Sequence, residues 1–298
     1  MPSWAEFQPY IVTGLALGGL YALSGVGLVV LYRATGVLNL AFGAVGAMGA
    51  FIAYSIIKAG NPGWVGWITC ILFAGVVTLG YGMLFGPALA GRGPLVQSIS
   101  TLGLALVLFG VIDLAWPTTG GQSPSISFPT DNGGFTVGQL QVNWTQVIAL
   151  GLGIATTVGT AAFLRLSKLG TAMRAMANDR EITATLGVPV RRVEAAAWLG
   201  CGLLAGLAGI MLADLSALDD TTLTFTVVIS SLAAALIARL RSIPVAFAAA
   251  IVIGLVHDLI TPITQISNYQ DMTPFVLAAI ALLVMSRGQV MTRSREEG

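Results

Sequence analysis

The chain has 298 residues, 56% of them apolar and only 9% charged, with a net charge of +1 and a mean hydropathy of +0.87. Soluble domains carry about 25% charged residues, so this composition cannot clothe a water-facing surface, and near-neutrality argues against a nucleic-acid partner. Cys70 and Cys201 both fall inside apolar runs and read as buried thiols without a disulfide framework.

A membrane-spanning helix needs about 20 mostly apolar residues. Nine segments are candidates on that rule, at roughly 8–32, 37–57, 64–86, 97–116, 143–164, 193–213, 223–238, 244–261 and 273–286, the last two short and read as tilted or partly re-entrant. The first has no basic region before it and is too long for a signal-peptide core, so a retained first span is expected. It carries Gly14, Gly18, Gly19, Gly25 and Gly27, and a later segment carries Gly202, Gly206 and Gly209. Spacings of three and four put small residues on one helix face and let backbones approach closely. Such side-chain-poor faces also suit helices that rock between two arrangements.

The second segment holds Asn39, Gly43, Gly46 and Gly49 and reads as a broken or re-entrant helix, an irregularity tolerated where protein or a cavity covers it. The Asn39 amide must find partners or cost roughly 1–3 kcal/mol. It either bonds a neighbouring helix and holds the broken segment, or lines a translocation path. Phe42, three residues on, would share its helix face and form an apolar gate. Residues 117–142 are rich in Gly, Ser, Thr and Pro without a basic residue, which predicts a small extracytoplasmic loop or a short hairpin.

Between Arg165 and Arg192 lie six of the fourteen basic residues. Within this segment Ala172, Met173, Met176, Ile182, Thr183 and Leu186 recur at mostly helical spacings, with Arg174, Asn178, Asp179, Arg180 and Glu181 available to the polar side. Thr171 can cap the start, Gly187 can end the helix and Pro189 opposes its continuation. The expectation is one helix of about four turns at the membrane surface. Its basic residues would face anionic lipid, or the helix would dock into a groove of a soluble partner. Asp113, Glu194 and the His257–Asp258 pair fall near helix ends, where they read as interfacial side chains or as parts of an outer gate.

Lys and Arg set the orientation. With the N-terminus outside, Arg33, Arg92, the 165–192 loop, Arg239, Arg241, Arg287, Arg293 and Arg295 are cytoplasmic, placing 13 of the 14 basic residues inside and leaving Lys58 out. The outer loops then carry Glu6, Asp131, Asp214, Asp219, Asp220 and Asp271. The expected fold is all-α and polytopic, a single transmembrane domain over 1–298 with about eight or nine helices.

Catalytic devices are missing from the sequence. It has no GxxxxGK[ST] phosphate loop, HExxH, CxxC or GxSxG pattern, and His257 is its single histidine. No metal site and no cofactor are expected. Few ionisable groups sit mid-span, which disfavours a proton- or sodium-coupled carrier.

The stretch YIVTGLALGGLYALSGVGLVVLYRATGVLNLAFGAVGAMGAF resembles the opening of permeases of the branched-chain, or hydrophobic, amino acid ABC importers. GTAMRAMANDREITATLGVPVRRVEAAAWLGCGLLAGLAGIM and LIARLRSIPVAFAAAIVIGLVHDLI continue the likeness in order, over about two-thirds of the chain, and suggest the shorter, H-type subunit. The resemblance implies a non-catalytic subunit that forms a pore with a second, M-type permease. Cytoplasmic ATP-binding subunits using ATP and Mg would dock beneath, and an extracytoplasmic solute-binding protein would deliver solute in a bacterial inner membrane. It implies that Arg174, Ala175, Asp179, Arg180, Glu181, Leu186 and Gly187 transmit ATPase closure, and that Asn39, Phe42, Gly43 and Gly46 belong to the path or its gate. Phe42 stands where the family commonly has His, Leu40 where it has Phe, and Ile237-Ala238-Arg239 where relatives tend to have a glycine pair. These departures lean towards an apolar solute, with urea, short amides and other organic solutes also linked to this broad group. A self-sufficient secondary carrier or channel and a structural membrane protein are the alternatives.

Overall fold

A computed structural model describes residues 4–89, 91–117, 133–137, 140–215 and 225–296. In order the chain forms α1 (Trp4–Thr35), α2 (Phe42–Lys58), α3 (Gly63–Leu89), α4 (Pro94–Ala115), a hairpin of β1 (Gly134–Val137) and β2 (Leu140–Asn143), α5 (Trp144–Leu166), α6 (Lys168–Asn178), α7 (Arg180–Thr185), α8 (Val190–Leu215), α9 (Val227–Ile237), α10 (Ile243–Ile260), a 3-10 turn (Ser267–Met272) and α11 (Thr273–Glu296). The antiparallel hairpin pairs Gly134 with Asn143 and Val137 with Leu140, bearing out a short hairpin within the 117–142 stretch. Residues 118–132 and 138–139 of that stretch, with Asp131, lie outside the described residues, as do Asp219 and Asp220 after α8.

Among the described residues six helices are long and apolar enough to cross a membrane: α1, α3, α4, α5, α8 and α10. Two of the nine expected spans are shorter apolar helices, α2 and α9. The helix of α2 begins only at Phe42, because residues 37–41 are not helical. Asn39 and Phe42 therefore do not share a helix face, contrary to the expectation from a continuous helix. The last helix does not stop near 286 but continues as α11 to Glu296.

Burial is distributed as in a protein dissolved in lipid. The apolar window of α1 is 89% buried, and α1 packs against α5, α8, α9 and α10. By contrast α3, α4 and α5 turn Leu72, Leu84, Leu106 and Val158 outwards. An exposed leucine costs nothing in hydrocarbon, so association of such helices rests on close packing and interhelical bonds. The glycine faces supply that packing. Gly14 and Gly18 lie on Gly254 and its neighbours in α10, Gly19 on Gly153 of α5, Gly46 on Gly209 of α8, and Gly202 and Gly206 on α3. A Cβ at Gly46 would stand 2.6 Å from the Ala205 carbonyl oxygen, so the residue is small because backbone is its neighbour.

Candidate coupling surface and translocation wall

The basic segment after α5 does not form one helix. Ser167 opens α6 by accepting the Gly170 amide at 2.8 Å, so the cap lies four residues before the expected Thr171. Gly170 presses on the Phe163–Leu164 backbone, which folds α6 tightly against the end of α5. The helix breaks at Asp179, whose backbone is extended (φ −154, ψ 112) and whose carboxylate accepts the Ile182 amide at 2.9 Å as the cap of α7. Gly187 then ends α7 in the left-handed region at φ 81, as its place in the sequence suggested.

The break divides the residues expected on one apolar side. Met173 and Met176 are buried against α1 and α8 residues, whereas Ile182 is 59% and Leu186 78% exposed. Arg180 turns back towards α8, where its Nε and Nη2 donate to Glu194 Oε1 at 3.0 and 2.8 Å. Ala175 is half-buried, while Arg174, Asp179 and Glu181 are exposed. Because the Arg180–Glu194 pair is itself open to water, exchanging the two charges (Arg180→Glu with Glu194→Arg) is expected to recover the roughly 0.2–1 kcal/mol lost in either single variant. A double-mutant cycle on thermal unfolding in detergent checks this, and additive losses would show that the pair contributes nothing.

Behind this surface Arg33, Arg180, Arg239 and Arg241 line a cavity of about 730 Å³ together with Thr35, Gly36 and Asn178. Arg33 donates to the Arg241 carbonyl at 3.3 Å, tying the end of α1 to the turn between α9 and α10. In that turn Arg239 and Leu240 both take positive φ, 51 and 55, the strained region that glycine occupies freely. The turn thus reaches, with two side-chain-bearing residues, a shape for which a glycine pair is the unstrained solution.

The broken segment is held from the side by α4. Ser98 Oγ accepts the Leu38 amide at 3.0 Å, and Thr101 Oγ1 accepts the Leu40 amide at 2.9 Å. Asn39 is buried; its Oδ1 accepts the Ala41 amide at 3.1 Å and its Nδ2 reaches Cys201 Sγ at 3.6 Å. The amide thus spends its bonds on the segment itself and on α8. Phe42 is also buried, with its ring against Gly27, and Gly43 and Gly46 are buried in α2. These four residues form a packed wall between α1 and α8.

Ser98 and Thr101 were not singled out in the sequence, although hydroxyls three apart in an apolar helix are a signal. Thr101→Val keeps the shape and leaves the Leu40 amide without its acceptor. It is expected to cost about 1–3 kcal/mol, read as a lower unfolding temperature. An unchanged value would mean that the bond is not needed to hold the segment.

At the other end of α10, His257 and Asp258 are buried rather than interfacial, each 7% exposed. Asp113, by contrast, is exposed as an interfacial residue should be. Among the described residues no group of three or more His, Cys, Asp or Glu side chains is placed to hold a metal ion.

A family model described as the permease component of branched-chain amino acid transport systems matches residues 10–285. The high-affinity branched-chain amino acid transport system permease protein LivH of Escherichia coli K12 is 25% identical over 297 residues, covering 95% of this chain and 94% of its own. BraD of Pseudomonas aeruginosa, of the same description, is 25% identical over 303 residues, with 97% of each chain covered. A probable LivH from Methanocaldococcus jannaschii is 28% identical over 251 residues, or 81% of this chain and 77% of its own. Among solved structures, a chain of PsaBC from Streptococcus pneumoniae in complex with Fab aligns over 95% of both chains at 14% identity and a TM-score of 0.48. The family match alone spans nearly the whole helical body just described, and on it the chain belongs to the family of permease components of branched-chain amino acid transport systems.

Proposed function

We propose that this permease subunit carries apolar amino acids of the branched-chain class inwards across a bacterial inner membrane, driven by ATP-binding subunits docked on α6 and α7. The observation that carries the docking is the exposed apolar pair Ile182 and Leu186, presented on a short helix whose two ends are fixed by Asp179 and Gly187. An apolar knob on a rigid helix in a basic, water-facing loop is what a groove on a soluble partner would grip. The same surface is tied through Arg180–Glu194 to α8, and α8 lies on Gly46 of α2. Movement of α7 thus has a short mechanical route to the wall formed by Asn39, Phe42, Gly43 and Gly46, which we assign to the gate.

In this reading the N-terminus lies outside, α2 and α9 complete eight or nine crossings as partial spans, and the arginine-lined cavity faces the cytoplasm. ATP and Mg belong to the partner subunits, a second, M-type permease completes the pore, and an extracytoplasmic binding protein supplies the solute. The test is extraction of the tagged chain from native membranes in mild detergent, with co-purifying proteins identified by mass spectrometry. A pair of P-loop ATPases and a second permease are expected. Recovery of the chain alone, still transporting in vesicles without ATP, would sink the reading in favour of a self-sufficient carrier.

A further inference from the structure

A small cavity lies at the end of the bundle opposite the arginines, between α9, α10 and the 3-10 turn. It measures about 140 Å³ and is lined by Phe225, Thr226, Ile229, Ser230, His257 and Asp271, closed on one side by Pro274. Polar groups are scarce in this chain, yet several converge here without partners. Ser230 is fully buried and its Oγ makes no hydrogen bond; His257 is 7% exposed and its Nε2 makes none either. Behind them, outside the cavity lining, the Tyr21 phenol lies beside Ser230, and Asp258 Oδ2 completes no hydrogen bond. A buried group left unpaired costs roughly 1–3 kcal/mol, and Ser230 Oγ and His257 Nε2 both face the cavity, so an occupant there supplies what they lack.

Charge and shape define that occupant. His257 stands between two carboxylates, with Asp258 Oδ1 at 3.4 Å from Nδ1 and Asp271 Oδ1 at 3.6 Å from Nε2. Asp271 is 78% exposed and stands at the mouth, where it offers a carboxylate to an incoming ammonium group. Ser230 and Thr226 offer hydroxyl donors to an anionic oxygen deeper in. Phe225, Ile229 and Pro274 form an apolar wall. The volume is close to the roughly 150 Å³ of an engineered cavity that takes up benzene, which suits an isobutyl-sized side chain.

We propose that this cavity is a solute seat within the permease itself, for a zwitterionic amino acid with a small apolar side chain. The ammonium group pairs with Asp271 and donates to His257 Nε2, the carboxylate accepts from the Ser230 and Thr226 hydroxyls, and the side chain lies on Phe225 and Ile229. The seat rests on the reading that the solute is an apolar amino acid.

Because Cys70 and Cys201 are buried, Pro274→Cys gives the cavity its own reactive thiol without removing a group assigned to the ammonium or carboxylate; Ile229→Cys serves if the first variant does not assemble. The assembled transporter in lipid nanodiscs is treated with a maleimide, and uptake of L-leucine by the same complex is measured separately in proteoliposomes. L-Leucine is expected to slow alkylation, and Asp271→Asn to raise the leucine concentration needed about tenfold, the loss of one charge-assisted bond. Isoamylamine and 4-methylvalerate, each lacking one charged group, are expected to protect far less. Equal protection by either analogue overturns the zwitterion seat. Normal leucine uptake with no protection overturns the seat and leaves the transport reading standing. Absence of both uptake and protection removes the solute assignment and the seat together.

Discussion

Aspartate at both Ile182 and Leu186 is expected to abolish ATP-driven uptake while the chain still folds in the membrane. Both side chains are mostly exposed, so their replacement removes nothing from the helical core. On a docking surface the same side chains are central apolar anchors, and truncation of such anchors commonly costs 2 kcal/mol or more each. Burying a carboxylate in the partner's groove adds a further penalty. The ATPase should therefore be lost from the purified complex by at least about 30-fold for either single change, taking 1.4 kcal/mol as tenfold. The unfolding temperature of the permease in detergent should stay near that of the parent chain. An ATPase that still co-purifies at full yield with the double variant would remove α7 from the interface.

Gly209→Val should produce the opposite pattern, with loss of the folded subunit itself. A side chain at Gly209 would run into the backbone of Gly46, and a Cβ at Gly46 would meet the Ala205 carbonyl oxygen. A backbone cannot swing aside as the tip of a side chain does. The cost is the separation of α2 from α8, about 3 kcal/mol, the upper end of the usual range for overpacking, because backbone rather than a side-chain tip must yield. Gly80→Ala and Gly103→Ala are the controls, since nothing lies within 4 Å of a Cβ at either position. They are expected to be neutral in accumulation and thermal stability. If Gly209→Val accumulated and unfolded as these controls do, close backbone contact would not be what holds α2.

The sequence made the helical body legible because lipid demands long apolar runs, and α1, α3, α4, α5, α8 and α10 all answer to that rule. It was less clear where helices stop for tertiary reasons. The division of α6 from α7 was in fact written in the phase of the residues. At 100° per residue Ile182 falls opposite Met173 on a continuous helix, so the two could not have shared one buried face. Asp179 is also a preferred capping residue. Gly187 was readable, because a left-handed stop after a helix is a local requirement. The partners of the broken segment were not readable, since Cys201 comes to Asn39, Ser98 to the Leu38 amide and Thr101 to the Leu40 amide, all from distant helices. The burial of His257 was hidden for the same reason: α9 and the 3-10 turn, far apart in sequence, enclose it.

The central position of α1 has a consequence for how the molecule is made. Of the described helices α1 leaves the ribosome before the others and is the most enclosed at the end, and its glycine faces meet α5 and α10. At about 5–20 residues per second, α10 is synthesised on the order of 10–50 s after α1. During that interval the faces around Gly14 and Gly18 lack the α10 backbone they finally meet. The bundle is closed by one of its last segments settling against its first, so a chain interrupted before α10 leaves the insertion machinery with its innermost helix on the outside.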